Sequence, residues 1–378
     1  MKISNINVSV YRTPPSVAWE DATNKVQGIE FIIVEIQTDK NIEGTGFTYT
    51  VDIGGTAIAS LIENYLAPLV IGMDPLDNEK IWHTLQRQSR RLGIGVNLMA
   101  IAAIDIAIWD IKGKVFNQPL YKIFGGMRSD IPAYISEINL SKDDPLENFL
   151  DRVDDYIARG YQTIKFKIGR DDLEEDIERI VKAKEKLGGS GKLLVDLNQK
   201  WSGSDALVNC ARLDALGLGW IEEPLLHDNL EGYVDLKAAV RTPLAHGESM
   251  HARSQFLDYL KAGAIDFVQA DVAFVGGFTE WLKIAHLSQA FGKLVAPHFM
   301  MELSVHMLCG VPNGFMLENV IGGSFQELGI AEGSVTIENG IAYPSEKPGH
   351  GIVFDKKALI SIKLNPDDVR NSFKGGSK

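Results

Sequence analysis

Hydrophobic and polar positions follow two periodicities in the first part of the chain, one typical of strands and one typical of helices. Residues 1 to about 50 alternate with the period of β-strands, which predicts strands over Ile3 to Tyr11, Gly28 to Thr38 and Asn41 to Tyr49. From about Thr56 to Phe116 apolar residues recur at three- and four-residue spacing, which predicts helices. Three strands followed by helices are typical of an α+β module.

From about Ile131 a short apolar strand is followed by an amphipathic helix, and this unit recurs roughly every 20 to 30 residues, as in a (β/α) barrel. The predicted strands lie near residues 131–136, 161–168, 192–197, 218–222, 242–247, 265–270, 293–297 and 314–318. After about residue 325 the helical pattern ends and short strands follow, which suggests that the tail returns to the first module.

The predicted fold is therefore an α/β chain with a modified (β/α)7β TIM barrel and an α+β capping domain. We expect the N-terminal region and the C-terminal tail to form that capping domain together. We place the capping domain at residues 1–125, the barrel with its metal and catalytic residues at 126–325, and the returning segment at 326–378.

The barrel strands from the second onward each end in a charged or titratable side chain. In order, these ends carry Lys165 with Lys167, Asp196 with Asn198, Glu222, Glu248, Asp271, His298 and Glu318. Each residue alone has an ordinary explanation, such as a helix cap or a structural histidine. Catalytic groups of such barrels lie at the C-terminal ends of the strands, so seven successive strands with this ending favour one shared site.

Three of these ends are carboxylates from adjacent strands: Asp196, Glu222 and Glu248. Three convergent carboxylates do not all ionise side by side without a cation. Oxygen ligands without Cys or His select a hard ion, so Mg²⁺ is the expected cofactor, with Mn²⁺ as a substitute. Asn198 faces the same side as Asp196 and is a candidate for orienting a ligand or the substrate.

Candidate proton-transfer groups lie on both sides of the predicted metal. Lys165 is a cation beside Lys167, and we expect it to lower the pKa of Lys167 so that this lysine can act as a base. Asp271 and His298 end adjacent strands, where a carboxylate can orient an imidazole. Glu318, if protonated, could donate a hydrogen bond to a developing oxyanion. This arrangement suits removal of a proton next to a carboxylate.

These motifs together resemble the enolase superfamily, mandelate racemase subgroup. The resemblance rests on Lys165-Phe-Lys167, Val195-Asp-Leu-Asn198, Trp220-Ile-Glu-Glu-Pro224, Gly247-Glu248, Asp271 with Val275-Gly-Gly277, and Pro297-His298. It implies that Asp196, Glu222 and Glu248 bind Mg²⁺. It also implies that Lys167 takes the proton from one face, that Lys165 neutralises the substrate carboxylate, and that Glu318 stabilises the intermediate. His298, supported by Asp271, would act on the opposite face.

The subgroup includes racemases and sugar-acid dehydratases, which share the first proton abstraction. Trp19 to Lys25 and Phe47 to Asp52 of the capping module are mostly polar, which favours a polyhydroxylated substrate. The strand-end residues from Phe267 to Glu318 resemble most those of dehydratases of the talarate/galactarate type. Lys25 could pair with a distal carboxylate or could simply be a solvated loop lysine. We therefore expect a Mg²⁺-dependent aldarate or aldonate dehydratase that forms a 2-keto-3-deoxy acid; the alternatives are a racemase or epimerase of a 2-hydroxy acid and a non-catalytic structural relative.

Composition limits the classes of binding partner and the cellular compartment that we expect for this protein. The net charge of −12 and the absence of a basic block argue against nucleic acid as a partner. Cys210 and Cys309 lie far apart, as in a reduced chain without a disulfide framework. The most apolar predicted helix, Leu98 to Ile111, contains two aspartates and is too short to cross a bilayer. We expect a cytoplasmic protein without membrane contact that binds a small carboxylate, and the resemblance adds a homo-oligomer.

Overall fold

The capping region is a three-stranded antiparallel sheet with helices on one side. The structure is a computed structural model that describes residues 1–189, 191–332 and 335–364. The sheet order is β1 (Ile3–Thr13), β2 (Ile29–Thr38) and β3 (Glu43–Val51). The helices that follow are α1 (Gly55–Leu61), a π-helical segment (Ile62–Leu66), α2 (Ala67–Val70), α3 (Asn78–Ser89), a 3-10 turn (Arg90–Leu92), α4 (Val96–Phe116) and α5 (Leu120–Ile123).

Helix α4 is buried on nearly all sides because it lies between the capping sheet and the barrel. Its residues from Asn97 to Ile111 are buried, which explains why its apolar residues do not form a single stripe. On β3, Gly44 and Gly46 let the strand backbone approach the backbone of α4; a Cβ at Gly46 would overlap Ala103 and Ala107. These glycines therefore serve close packing between strand and helix.

The barrel alternates parallel strands with helices from Ile131 to Val320. The strands are β4 (Ile131–Glu137), β5 (Thr163–Lys167), β6 (Lys192–Asp196), β7 (Trp220–Glu222), β8 (Leu244–His246), β9 (Phe267–Val268), β10 (Leu294–Val295) and β11 (Leu317–Val320). The intervening helices are α6 (Leu146–Ala158), α7 (Leu173–Leu187), α8 (Gly203–Asp214), α9 (Leu230–Ala239), α10 (Arg253–Ala262), α11 (Phe278–Ala290) and α12 (Met301–Gly310).

Pairing of β11 with β4 in parallel closes the barrel, with Leu317 opposite Ala133. Successive residues of a strand point to opposite sides. On β5, Phe166 points outward and packs on Phe149 of α6, whereas Lys165 and Lys167 face the interior, where they bind carboxylates of neighbouring strands. The predicted (β/α)7β barrel with an α+β capping domain is confirmed.

The C-terminal segment crosses back from the barrel to the capping sheet. It contains β12 (Ala331–Glu332), β13 (Val335–Glu338), β14 (Ile341–Pro344), β15 (Val353–Phe354) and α13 (Lys356–Ser361). β14 pairs with β4 at the base of the barrel, and the Leu364 N–H donates to the Val10 carbonyl over 2.8 Å. The boundaries 1–125, 126–325 and 326–378 stay a prediction, and residues 365–378 lie outside the described residues. No helix among the described residues is long and apolar enough to cross a membrane.

Candidate active site

Adjacent barrel strands bring the three predicted metal ligands together. Asp196 and Glu222 are the last residues of β6 and β7 and lie opposite each other in the register, and Glu248 follows β8 by two residues. One carboxylate oxygen from each lies within 4.8 Å of the other two. Asp196 and Glu222 are fully buried, and 13% of the Glu248 side chain is exposed. Parallel strands of equal register place these side chains at one edge of the barrel.

The chemistry of this group fits a hard divalent cation. Burial and the neighbouring acids raise the pKa of Glu222 well above its usual range, and burial with Glu223 raises that of Glu248 to about 7. Glu248 Oε2 is buried and has no hydrogen-bond partner among the described residues. A bound cation would stabilise the ionised carboxylates of Glu222 and Glu248 and would give the unpaired Glu248 oxygen a partner. An all-oxygen donor set suits Mg²⁺.

Two lysines of β5 bind this acidic group. Lys167 Nζ lies 2.5 Å from Asp196 Oδ2, and Lys165 Nζ lies 2.6 Å from Glu222 Oε1 and 2.7 Å from Glu318 Oε1. Burial and Lys165 would lower the pKa of Lys167, but the carboxylates of Asp196, Glu248 and Glu222 together outweigh them, so the pKa is raised. Lys165 does act to lower the pKa of Lys167, as we expect from the sequence. In this structure the nearby carboxylates outweigh that effect.

Lys165 differs from its predicted position at the substrate. Only 1% of it is exposed, and it lies beneath the cavity, bonded to carboxylates of three strands, without lining the cavity wall. Lys167 does line the cavity. The difference arises because Lys165 lies two residues before Lys167 on β5, farther from the mouth of the barrel.

Asp271 and His298 form a hydrogen-bonded pair across the barrel from Lys167. His298 Nδ1 lies 2.8 Å from Asp271 Oδ2, and the Ala273 N–H donates to the other Asp271 oxygen over 2.8 Å. Burial alone would lower the pKa of His298, but Glu248 and the Asp271 hydrogen bond outweigh it and raise this pKa to about 10. With a proton on Nδ1 directed at Asp271, Nε2 is the nitrogen left for substrate.

Glu318 lines the cavity and forms an ion pair with Lys165. Its Oε1 binds Lys165, and its Oε2 accepts the Phe299 N–H over 2.8 Å. Burial alone would raise its pKa, but Lys165 and His298 outweigh burial and lower the pKa to about 2. Lys165 lies against the Glu318 carboxylate and favours its ionised form, and the role of a protonated Glu318 as donor to an oxyanion stays a prediction.

A cavity of about 530 Å³ opens between the barrel mouth and the capping region. The barrel contributes Lys167, Asn198, Gln199, Glu248, Ser249, Phe274, His298, Phe299 and Glu318, and the capping region contributes Trp19, Asp21, Thr23, Asn24, Val26, Tyr49 and Asp52 among others. Asn198 Oδ1 is buried and has no hydrogen-bond partner among the described residues, so it is available to a ligand. Lys25 does not line this cavity: its Nζ lies 3.4 Å from Glu20 and its side chain is 66% exposed.

Two polar cavity residues escaped the sequence reasoning. Tyr49 donates a hydrogen bond to Asp271 over 2.6 Å. The Gln199 amide nitrogen donates to Glu223 and to Ser249, over 2.9 Å in both cases. Tyr49 lies in the polar segment Phe47 to Asp52, but nothing in that segment distinguishes it from its neighbours. Gln199 follows Asn198 directly, and a search that extended three residues past the end of β6 would have found it.

Comparison with known proteins agrees with this geometry. Residues 5–125 match the mandelate racemase / muconate lactonizing enzyme N-terminal domain, and residues 148–358 match the enolase C-terminal domain-like family. The chain belongs to the enolase superfamily, mandelate racemase subgroup. The family predicted from the strand-end motifs is therefore confirmed.

Individual relatives span nearly the whole chain. A 3,6-anhydro-alpha-L-galactonate cycloisomerase from Streptomyces coelicolor is 33% identical over 94% of this chain and 98% of its own length. The crystal structure of a racemase from the same species, with bound magnesium, has a TM-score of 0.91 and 32% identity and covers 96% of this chain and 100% of that one. L-talarate/galactarate dehydratase from Salmonella typhimurium LT2, liganded with Mg and L-lyxarohydroxamate, has a TM-score of 0.89 and 30% identity over 96% and 93% of the two chains.

Proposed function

We propose that this protein is a Mg²⁺-dependent dehydratase of sugar acids that forms a 2-keto-3-deoxy acid. The observation that carries the proposal is one cavity that joins the carboxylates of Asp196, Glu222 and Glu248 to Lys167 on one side and His298 on the other. The magnesium reported in two similar structures and the dehydratase among them support it.

Asp196, Glu222 and Glu248 would hold the Mg²⁺. When bound, the ion supplies positive charge that stabilises the charge developing on the substrate carboxylate as its α-proton leaves. Lys167 Nζ would accept that proton once it is neutral. His298 Nε2 would give its proton to the β-hydroxyl, which leaves as water, and the resulting enol tautomerises to the 2-keto acid. Loss of one proton and one hydroxide balances the release of one water.

The lining of the cavity supports a hydroxylated substrate. Asp21, Thr23 and Asn24 on the capping side and Asn198 on the barrel side offer carboxylate, hydroxyl and amide groups to substrate hydroxyls. Trp19 and Phe299 meet edge to face with ring centroids 5.8 Å apart and form an apolar wall beside these groups. Such a mixture binds polyols, whose carbon face and hydroxyl edge differ in polarity.

A screen of aldonates and aldarates tests the proposal, with 2-keto-3-deoxy acid formation as the readout. We expect turnover of at least one sugar acid with Mg²⁺, loss of turnover with a chelator, and recovery on adding Mg²⁺ back. Lys167→Met should abolish turnover, whereas Lys356→Met, at the start of α13 and outside the cavity, should not. Absence of turnover with every sugar acid, under conditions where the protein binds Mg²⁺, would reject the proposal.

A racemase, epimerase or cycloisomerase is the second candidate. Proton-transfer groups on opposite sides of one cavity also suit inversion at Cα, and two relatives carry such names. The racemase or epimerase of a 2-hydroxy acid predicts deuterium at Cα in D₂O without loss of water. A non-catalytic relative is disfavoured because Lys167, Asp271 and His298 are all retained. The homo-oligomer, the cytoplasmic location and the lack of nucleic-acid binding stay predictions.

A further inference from the structure

Tyr49 is the residue through which the capping sheet reaches the Asp271–His298 pair. It lies on β3, is 2% exposed, and its hydroxyl donates to Asp271 Oδ2 over 2.6 Å. The same Oδ2 lies 2.8 Å from His298 Nδ1, and the Tyr49 oxygen lies 3.3 Å from that nitrogen. Three polar atoms from β3 and the ends of β9 and β10 thus form a closed triangle.

The protons in this triangle have definite places. If His298 Nδ1–H donates to Asp271, the nitrogen has no lone pair for Tyr49, so the phenol proton also goes to Asp271. Burial and Asp271 raise the pKa of Tyr49 well above its usual range, which keeps the phenol a donor. The second Asp271 oxygen accepts the Ala273 N–H. The carboxylate is therefore held by its own loop on one oxygen and by the capping sheet on the other.

The Tyr49 ring is fixed by the loops that carry the pair. It stacks on Phe274, three residues after Asp271, with centroids 5.0 Å apart and planes at 27°. It meets the edge of Phe299, the neighbour of His298, also at 5.0 Å. Thr48, the preceding residue of β3, donates its hydroxyl to the Ala273 carbonyl over 3.0 Å. The phenol cannot swing away unless β3 separates from both loops.

We propose that Tyr49 is a positioning residue that orients the imidazole of His298 by anchoring Asp271 from the capping domain. The proposal rests on the proposed function, in which His298 and Lys167 serve opposite faces of the substrate. Among the described residues, the side-chain hydroxyl of Tyr49 makes its polar contacts with Asp271 and His298, so Tyr49 lies on the His298 side of the cavity. A single hydrogen bond to a charged group corresponds to roughly a tenfold to hundredfold change in rate. The loss should fall on the His298-dependent step alone.

Tyr49→Phe removes the hydroxyl and keeps the ring. Exchange at Cα in D₂O is followed by NMR for a sugar acid that the enzyme accepts and for its C2 epimer. Lys167→Met and His298→Asn assign each epimer to a face. Tyr121→Phe is the matched control, because its phenol also donates to a carboxylate over 2.6 Å, that of Glu346, outside the cavity.

We expect Tyr49→Phe to lower kcat for exchange on the His298 face by roughly tenfold or more, with little change in KM or in exchange on the Lys167 face. In an Asp271→Asn background the added Tyr49→Phe change should have no further effect, since the hydroxyl acts through that carboxylate. Equal losses on both faces, an unchanged rate, or additive effects with Asp271→Asn would overturn the proposal.

A second readout does not depend on turnover, so it separates this proposal from the proposed function. In ¹⁵N-histidine-labelled protein, the His298 Nδ1–H resonance is assigned by its disappearance in His298→Asn. We expect Tyr49→Phe to shift this resonance, and Tyr121→Phe to leave it in place. An unmoved His298 resonance in Tyr49→Phe would refute the positioning role, whereas absence of turnover of every sugar acid by the wild-type protein would refute only the proposed function.

Discussion

Asp105 of α4 links the capping region to barrel helix α11. Its Oδ2 accepts the Thr279 N–H over 2.9 Å, and its Oδ1 accepts the Thr279 hydroxyl over 2.5 Å. The residue is 3% exposed, and Gly277 leaves room for it, because a Cβ there would lie 2.6 Å from the Asp105 Cβ. Burial outweighs the Thr279 hydrogen bonds and raises the pKa of Asp105 to about 7. Asp105→Asn, which resembles the protonated acid, tests this assignment.

The raised pKa fixes the sign of the pH effect. An acid whose pKa is higher in the folded than in the unfolded protein stabilises the fold below the unfolded value, and this stability is lost as the pH rises to the folded value. The unfolded Asp105 ionises near pH 4, as aspartates do. Between pH 5 and pH 8 the wild-type protein should therefore lose about 3 kcal/mol relative to Asp105→Asn, at about 1.4 kcal/mol per pH unit up to pH 7.

Urea unfolding at pH 5 and pH 8 measures this difference, because each other titrating group contributes equally to both proteins. At pH 5 the two should agree to about 1 kcal/mol, and at pH 8 Asp105→Asn should be the more stable. Asp258→Asn, on the exposed face of α10, is the control and should show no such trend. A difference between wild type and Asp105→Asn that stays constant from pH 5 to pH 8 would contradict the reasoning.

Three further predictions concern packing and the site. Gly46→Ala should destabilise the fold by about 1–3 kcal/mol in thermal or urea unfolding, since its Cβ would overlap the backbone of Ala103, whereas Gly203→Ala, with nothing within 4 Å, should not. Glu248→Gln should weaken Mg²⁺ binding by about tenfold or more in calorimetric titration, because it removes one of three converging charges; an unchanged Kd would contradict its role as a ligand. Asn198→Ala should raise KM by roughly threefold to tenfold with little change in kcat, and a loss confined to kcat would speak against substrate binding by its free oxygen.

The fold was predictable because its strands and helices have local patterns. The predicted strand near 192–197 corresponds to Lys192–Asp196, and that near 131–136 to Ile131–Glu137. Short apolar runs that end in a charged residue mark both the strand and the edge at which it stops. The carboxylates of Asp196, Glu222 and Glu248 could therefore be grouped before any coordinates, since parallel strands end at one edge.

Charge states at the site were not predictable in the same way. Lys165 and Glu318 come from strands far apart in sequence, yet closure of the barrel places them 2.7 Å apart. This contact favours the ionised form of Glu318, and Lys165 lies below the cavity. The Lys25 ammonium is held by Glu20 across a short loop pairing, away from the cavity. These outcomes depend on distances of a few ångströms, and electrostatic energies change steeply over such distances.

The sequence by itself determined the order of strands and helices, the family and the set of side chains at the barrel mouth, because strand alternation and strand ends are local properties of the chain. Only the tertiary structure decided which of those side chains meet, which are charged, and that Tyr49 of the capping sheet binds Asp271 some 222 positions away. Contacts of that kind join two layers that come from distant parts of the chain, and no periodicity within either layer encodes them.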